Sequence, residues 1–190
     1  MRRIVITGGP GAGKTVITGE IARRHPEKFV AVAEAATQVY QSLKTRWDKL
    51  DLFGRYDAQR RMYRLQLEQE ERTAREHPEK TLLLDRGTID GAAYWPDGAA
   101  AFWRDVGTTH ERELARYDAV MILETCAAIG LYDNDASNPV RFESSAAAME
   151  AQRRIIELWG EHPRVLHVSA CQKMEDKIAA VEKVLAEMVS

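Results

Sequence analysis

Apolar residues in this chain fall into short runs separated by longer polar stretches. The runs are Ile4–Thr7, Phe29–Ala33 ("FVAVA"), Thr81–Asp85 ("TLLLD"), Ala119–Leu123 ("AVMIL") and Val165–Val168. They are too short for helices and are largely continuous rather than alternating, the pattern of strands buried on both faces. The stretches between them read as helices. Thr15–Arg24 sets Ile17 and Ile21 on one face and stops before Pro26. Ala35–Leu50 reads as one helix. Arg55–His77 reads as a long polar helix with Ala58, Met62, Leu65 and Gln69 on its inner face, ended by "HPEK". Glu111–Arg116, Ser144–Trp159 (with Ser144 or Ser145 as cap) and Glu175–Met188 complete the set. Pro96–Gly98 marks a turn, and Thr125–Glu143 loses periodicity and reads as a loop.

Strands alternating with helices predict a parallel sheet covered on both faces, with right-handed crossovers. The expected fold class is therefore α/β: three layers, a five-stranded, mostly parallel sheet and one domain over residues 1–190. Ligands on such sheets bind beyond the carboxyl ends of the strands. Chemistry is then expected from Gly8 onward and at Glu34, Asp85, Glu124 and Ser169.

The first of these strand ends carries "GGPGAGKT", Gly8–Thr15, between a strand and a helix. It fits GxxxxGK[ST], the phosphate-cradling P-loop, in the required context. Glycines allow the backbone turns and close approach that β-carbons would block. Successive amides point into one concavity, and the following helix adds the positive end of its dipole. Gly8, Gly9, Pro10, Gly11, Ala12, Gly13, Lys14, Thr15 and Val16 are the expected nucleotide-binding residues. Lys14 is placed to reach the β- and γ-phosphates, and Thr15 offers a hydroxyl to Mg²⁺. Asp85, ending "TLLLD", is the second expected Mg²⁺ ligand, and Arg86 after it suits charge on a transferring phosphoryl group.

Composition adds little and excludes more. A net charge of −2 gives no electrostatic reason for a nucleic-acid or anionic-membrane partner. No apolar stretch approaches a membrane span, and no signal-type apolar block follows the first residues, so a cytoplasmic protein is expected. Cys126 and Cys171 read as buried small hydrophobes, and the five histidines show no metal-ligand spacing. There is no NKxD and no LSGGQ, and "DRGT" after the third strand does not supply the D-x-x-G switch, which argues against signalling GTPases and ABC-type ATPases. What remains is a small kinase-like P-loop domain.

"ITGGPGAGKT", "AEAA" at Ala33–Ala36, "LLLDRGTIDGAAY" at Leu82–Tyr94 and "VRFESSAAAMEAQRRI" at Val140–Ile155 together resemble the small "AAA domain" P-loop family. That family is related to nicotinamide riboside kinases and to a phosphoinositide- and GTP-binding trafficking protein. The resemblance implies a kinase-type sheet with the Asp85 strand beside the P-loop strand, and a short lid over residues 125–143 carrying Arg141. It also implies that adenine passes near Ser169–Gln172. Nicotinamide riboside kinases commonly carry a Glu-Ser pair where this loop has Pro10–Gly11, so the acceptor stays open.

The expected activity is ATP/Mg²⁺-dependent transfer (GTP possible) of the γ-phosphoryl group to a small hydroxylated, nucleoside-like acceptor. Lys14, Arg86 and Arg141 would stabilise charge, and either Glu34 or Asp85 would take the proton. The alternative is a nucleotide-binding regulator or slow NTPase whose bound state a partner protein or lipid reads. Tyr94 and Trp95 are expected chiefly in packing. Gln59, Arg60 and Gln66 are expected on a solvated helical face, with reading of an acceptor as the alternative; Arg153 and Arg154 are expected on the surface, with one of them joining Arg141 as the alternative. Substituting Lys14→Ala should remove most nucleotide-dependent activity while leaving the melting curve cooperative; full turnover in that variant would refute the loop assignment.

Overall fold

The computed structural model describes residues 2–132 and 144–189. Five strands, β1 (Arg3–Thr7), β2 (Phe29–Val32), β3 (Thr81–Asp85), β4 (Ala119–Leu123) and β5 (Val165–Val168), form one sheet in the order β2-β3-β1-β4-β5. Every pairing is parallel. In β1, Ile4 and Ile6 face one layer and Val5 the other, all at 1% exposure or less. β3 and β4 are buried in the same way, which is why these three apolar runs are unbroken, whereas the edge strands β2 and β5 expose Ala31 and His167.

One face of the sheet is covered by α1 (Lys14–Arg24) and α8 (Met174–Val189), through Ile17, Ile21, Ile178, Val181 and Leu185. The other carries α3 (Leu52–Glu76), α6 (His110–Leu114) and α7 (Ser145–Trp159), through Ala74, Leu114, Ile155 and Trp159. α1 and α3 stop at His25 and His77, each followed by proline, which disfavours helical geometry in the residue before it. At the start of α7 the Ser144 hydroxyl accepts a hydrogen bond from the Ala147 amide.

The expected helix Ala35–Leu50 is two elements instead. Helix α2 covers Ala35–Leu43, and Lys44 then turns left-handed, with φ 50°. A 3-10 turn at Trp47–Lys49 follows. Asp51 starts α3 by accepting from the Gly54 amide at 2.8 Å. The break lets α2 and α3 lie against each other through Val39, Ala58 and Met62. Ala58, Met62 and Gln69 are buried on the inner face of α3 as expected; that face also extends to Gln59, Gln66 and Glu70, whereas Leu65 only packs at the edge of a cluster.

Two short helices, α4 (Asp90–Ala93) and α5 (Ala99–Val106), were not legible in the hydrophobic pattern. Phe102 on α5 is fully buried against Trp95 and Ala92. Cys126 and Cys171 are half-buried rather than enclosed, because both sit in the turns leaving β4 and β5. Within the expected lid, Cys126–Ile129 is a 3-10 turn; Arg141 lies outside the described residues. No helix among the described residues is long and apolar enough to cross a membrane. Asp51→Ala should cost about 1 kcal/mol of stability by removing the α3 cap, read as a lowered denaturation midpoint with an unchanged slope.

Candidate functional site

The carboxyl ends of β1, β2 and β3 converge on one cleft. The loop leaving β1 reverses tightly, with the Ala12 amide donating to the Gly9 carbonyl at 3.3 Å. Gly8 has φ +142°, and a β-carbon there would come within 2.1 Å of the Leu123 carbonyl oxygen. Gly13 turns the chain into α1 at φ 84°. Lys14 is buried, and its Nζ donates to the carbonyls of Gly8 (3.0 Å) and Gly9 (2.9 Å). The Gly9 amide donates to Gln152 Oε1 of α7 at 2.5 Å, a contact the sequence did not suggest.

Across the cleft, Thr15 Oγ1 donates to Asp85 Oδ2 at 2.5 Å. The other Asp85 oxygen is buried with no hydrogen-bond partner. A hydroxyl beside a carboxylate with a spare oxygen fits Mg²⁺, which takes oxygen ligands and few of them from protein. Arg86 follows in a left-handed conformation, φ 74°, unusual for a residue with a side chain. Its carbonyl accepts from Gln66 Nε2 at 3.2 Å, and its Nε donates to Glu34 Oε1 at 2.6 Å. Glu34 Oε2 accepts from Thr37 at 2.7 Å. Asp90 accepts from Thr7 Oγ1 and from the Gly87 amide at 2.5 and 2.8 Å, bracing the Arg86–Gly87 turn.

Charge is crowded here. Burial, then the neighbouring Arg86, lower the Lys14 ammonium to about 7, which an arriving anion would reverse. Burial acts to raise Glu34, but the Arg86 and Lys14 charges and its hydrogen bonds override it, leaving the carboxyl at about 2. Burial and the Glu34 charge raise Asp85 to about 6. A carboxyl and a lysine both displaced toward neutrality mark a site whose charges are matched to partners beyond the protein.

Beside Lys14 and Arg86 opens a pocket of about 220 Å³. Tyr40, Trp47, Tyr63 and Tyr94 provide aromatic walls, and Glu34, Gln59, Gln66 and Thr88 provide polar groups. Gln59 and Gln66, expected in solvent, are 4% exposed each and line this pocket. They lie seven residues apart on α3, two turns of one face, a spacing available in the sequence but masked by the adjacent apolar stripe. Tyr94 lines the pocket, whereas Trp95 packs against Phe102 and Tyr56, 5.3 and 4.8 Å between ring centres. Arg60 pairs with Asp105, and Arg153 and Arg154 pair with Glu150 on the surface. Val16 is exposed beside the loop. Ala170, in the stretch expected near adenine, donates its amide to Glu124 Oε2 at 2.9 Å.

The AAA domain family profile matches residues 3–177. The chain belongs to this family. Among solved structures, a deoxyadenosine kinase from M. mycoides with bound dATP is similar at 15% identity, covering 97% of this chain and 99% of that one, TM-score 0.68. Candida albicans thymidylate kinase is similar at 13% identity, covering 98% and 91%, TM-score 0.67. The NadR protein, solved with NAD and AMP-PNP, is similar at 16% identity and TM-score 0.64, over 96% of this chain but 48% of that one. This member of the AAA domain family therefore spans about half the length of NadR. No curated protein matches the sequence. The fold is the three-layer P-loop kinase fold, with the Asp85 strand directly beside the P-loop strand.

Asp85 generates a prediction with a definite sign. Its folded pKa, about 6, lies above the ordinary aspartate range near 4. The fold therefore disfavours the ionised form: stability falls as pH rises from about 4 to about 6 and stays reduced above. Asp85→Asn, without divalent ions, should raise stability at pH 8 by up to about 3 kcal/mol. The gain should vanish by pH 4. A variant no more stable at pH 8 would contradict the strained-carboxylate assignment.

Proposed function

We propose that this protein is a nucleoside-triphosphate-dependent phosphotransferase that moves the γ-phosphoryl group of ATP to a hydroxyl of a neutral, ring-bearing, nucleoside-like acceptor. The observation that carries this reading is the pocket beside Lys14, which shares Glu34 and Arg86 with the cleft of the phosphate loop. The same cavity is lined by Pro10, Gly13, Lys14 and Thr15 of the phosphate loop and extends to aromatic walls for which a nucleotide switch has no need.

The loop amides and the α1 N-terminus would hold the triphosphate. Lys14 has one N–H donor beyond those on the Gly8 and Gly9 carbonyls and would give it to a phosphate oxygen, and Arg86 would face the transferring group. Thr15 and Asp85 would hold Mg²⁺, which when bound neutralises charge on the phosphates. Glu34 lines the pocket and Asp85 does not. That favours Glu34 as the group accepting the acceptor's proton and Asp85 as the metal-side carboxylate. The fixed Arg86–Glu34 pair would hold that carboxylate oriented before the acceptor arrives. Arg141 remains a proposed lid cation.

Neutrality of the acceptor follows from the cations. The pocket's only two among the described residues are Lys14, bound to the phosphate loop, and Arg86, held by Glu34. Both are assigned to the transferring phosphoryl group in this reading, which leaves no further cation among the described lining residues for an acceptor phosphate. Aromatic walls and two buried amides suit a planar heterocycle, as the deoxyadenosine kinase likeness also supports.

The test is to incubate the protein with ATP·Mg and panels of nucleosides and their 5′-monophosphates, reading products by mass spectrometry. A new monophosphate from a nucleoside is expected, with no product from monophosphates. Hydrolysis at one slow rate whatever is added would favour the regulatory reading instead. Glu34→Gln should lower kcat by about 10²-fold or more. Gln59→Ala should raise the acceptor KM by about tenfold with smaller change in kcat.

A further inference from the structure

Lys177 stands outside every role assigned so far. It lies in the first turn of α8 and is 1% exposed. Its Nζ donates to the main-chain oxygens of Ala12, at 2.9 Å, and Glu124, at 2.6 Å. Among the described residues no carboxylate forms an ion pair with it. A buried ammonium satisfied by neutral carbonyls alone is costly, because the charge is removed from water without a counter-charge. Burial acts to lower its pKa accordingly. A methionine or leucine would fill the same space at no such cost.

What distinguishes the position is the identity of the carbonyls. Ala12 O belongs to the phosphate loop, and Glu124 O to the exit of β4. The Pro10 carbonyl accepts from Thr125 Oγ1 at 2.5 Å, and the Gly11 carbonyl from the Cys126 amide at 3.4 Å. Three successive loop carbonyls are thus drawn toward one wall. In a planar trans peptide the N–H points opposite to the C=O, and no cis bond is present. Fixing Ala12 O on the α8 side therefore turns the Gly13 amide to the other side, away from Lys177.

We infer that Lys177 is a second lysine of the phosphate site: a positioning residue that orients the Ala12–Gly13 peptide and adds a positive charge behind the loop. Its charge becomes favourable when polyphosphate occupies the cradle, since a buried charge interacts strongly with a nearby anion. The inference rests on the nucleotide reading of the loop.

The test compares the wild-type chain with K177M and K177R. Calorimetry at 20 °C, below the melting transition of each protein, measures ATP·Mg, ADP·Mg and inorganic tripolyphosphate. K177M should lose at least tenfold for ATP and tripolyphosphate and less for ADP, and K177R should recover most of the loss. A purely structural lysine would lower the melting temperature and leave the three affinities unchanged, which overturns the inference. So does a K177R as weak as K177M. Should K177M not fold, ¹⁵N-lysine spectra of the wild type decide: the Lys177 Nζ resonance moves on adding tripolyphosphate, or the inference fails. A wild type that binds no triphosphate refutes the nucleotide reading itself, whereas wild-type binding with an unaltered K177M refutes only the role of Lys177.

Discussion

Everything at the site depends on keeping the carbonyls of one short loop occupied. The oxygens of Gly8 and Gly9 take the Lys14 ammonium, Pro10 takes Thr125, Gly11 takes the Cys126 amide, and Ala12 takes Lys177. An anion cannot approach a loop that presents carbonyl oxygens to it. The donors come from three places: α1, the β4 exit and α8. The sheet order brings these together, because β4 pairs directly with β1 and the β4 exit passes beside the loop.

The β3 exit is held in an equally improbable shape by a different network. Arg86 is left-handed, and its neighbours supply the restraint. Gln66 grips its carbonyl, Asp90 accepts the Gly87 amide, and the Tyr117 hydroxyl accepts the Thr88 amide at 2.8 Å. Behind them, buried Glu70 accepts from Gln66 and Tyr117, while buried Glu113 accepts from Thr88 and Tyr63. Arg116, donating to Glu70 at 2.8 Å, supplies a counter-charge. The polar inner face of α3 is therefore a scaffold for the turn that aims Arg86 at Glu34.

These two networks divide the cleft. The loop side is built to meet anionic oxygens, with Lys14 and Lys177 approaching it from different sides. The α2–α3 side is aromatic, its charges being the Arg86–Glu34 pair and Asp90, which braces the Arg86–Gly87 turn. Asp85 sits on the boundary, one oxygen on Thr15 and the other unpartnered. In the proposed reaction, that asymmetry would separate a phosphate donor from a neutral acceptor.

The five strands, the phosphate loop and the carboxyl-end positions of Glu34 and Asp85 were determined by sequence alone. Doubly buried strands need unbroken apolar runs, and a loop that wraps phosphate needs glycine at fixed places, so both leave local traces. Gln59 and Gln66 left an ambiguous trace, a two-turn spacing that fits water and acceptor equally, and Lys177 left none. A glutamine on a helix looks the same whether it faces water or a cavity, and a lysine on a closing helix looks like a surface charge. Only the packing of α3 and α8 against the strand ends decided where those side chains point. The break of α2 from α3 was decided in the same way: Lys44 can adopt a left-handed turn, but it is the docking of the two helices that selects it.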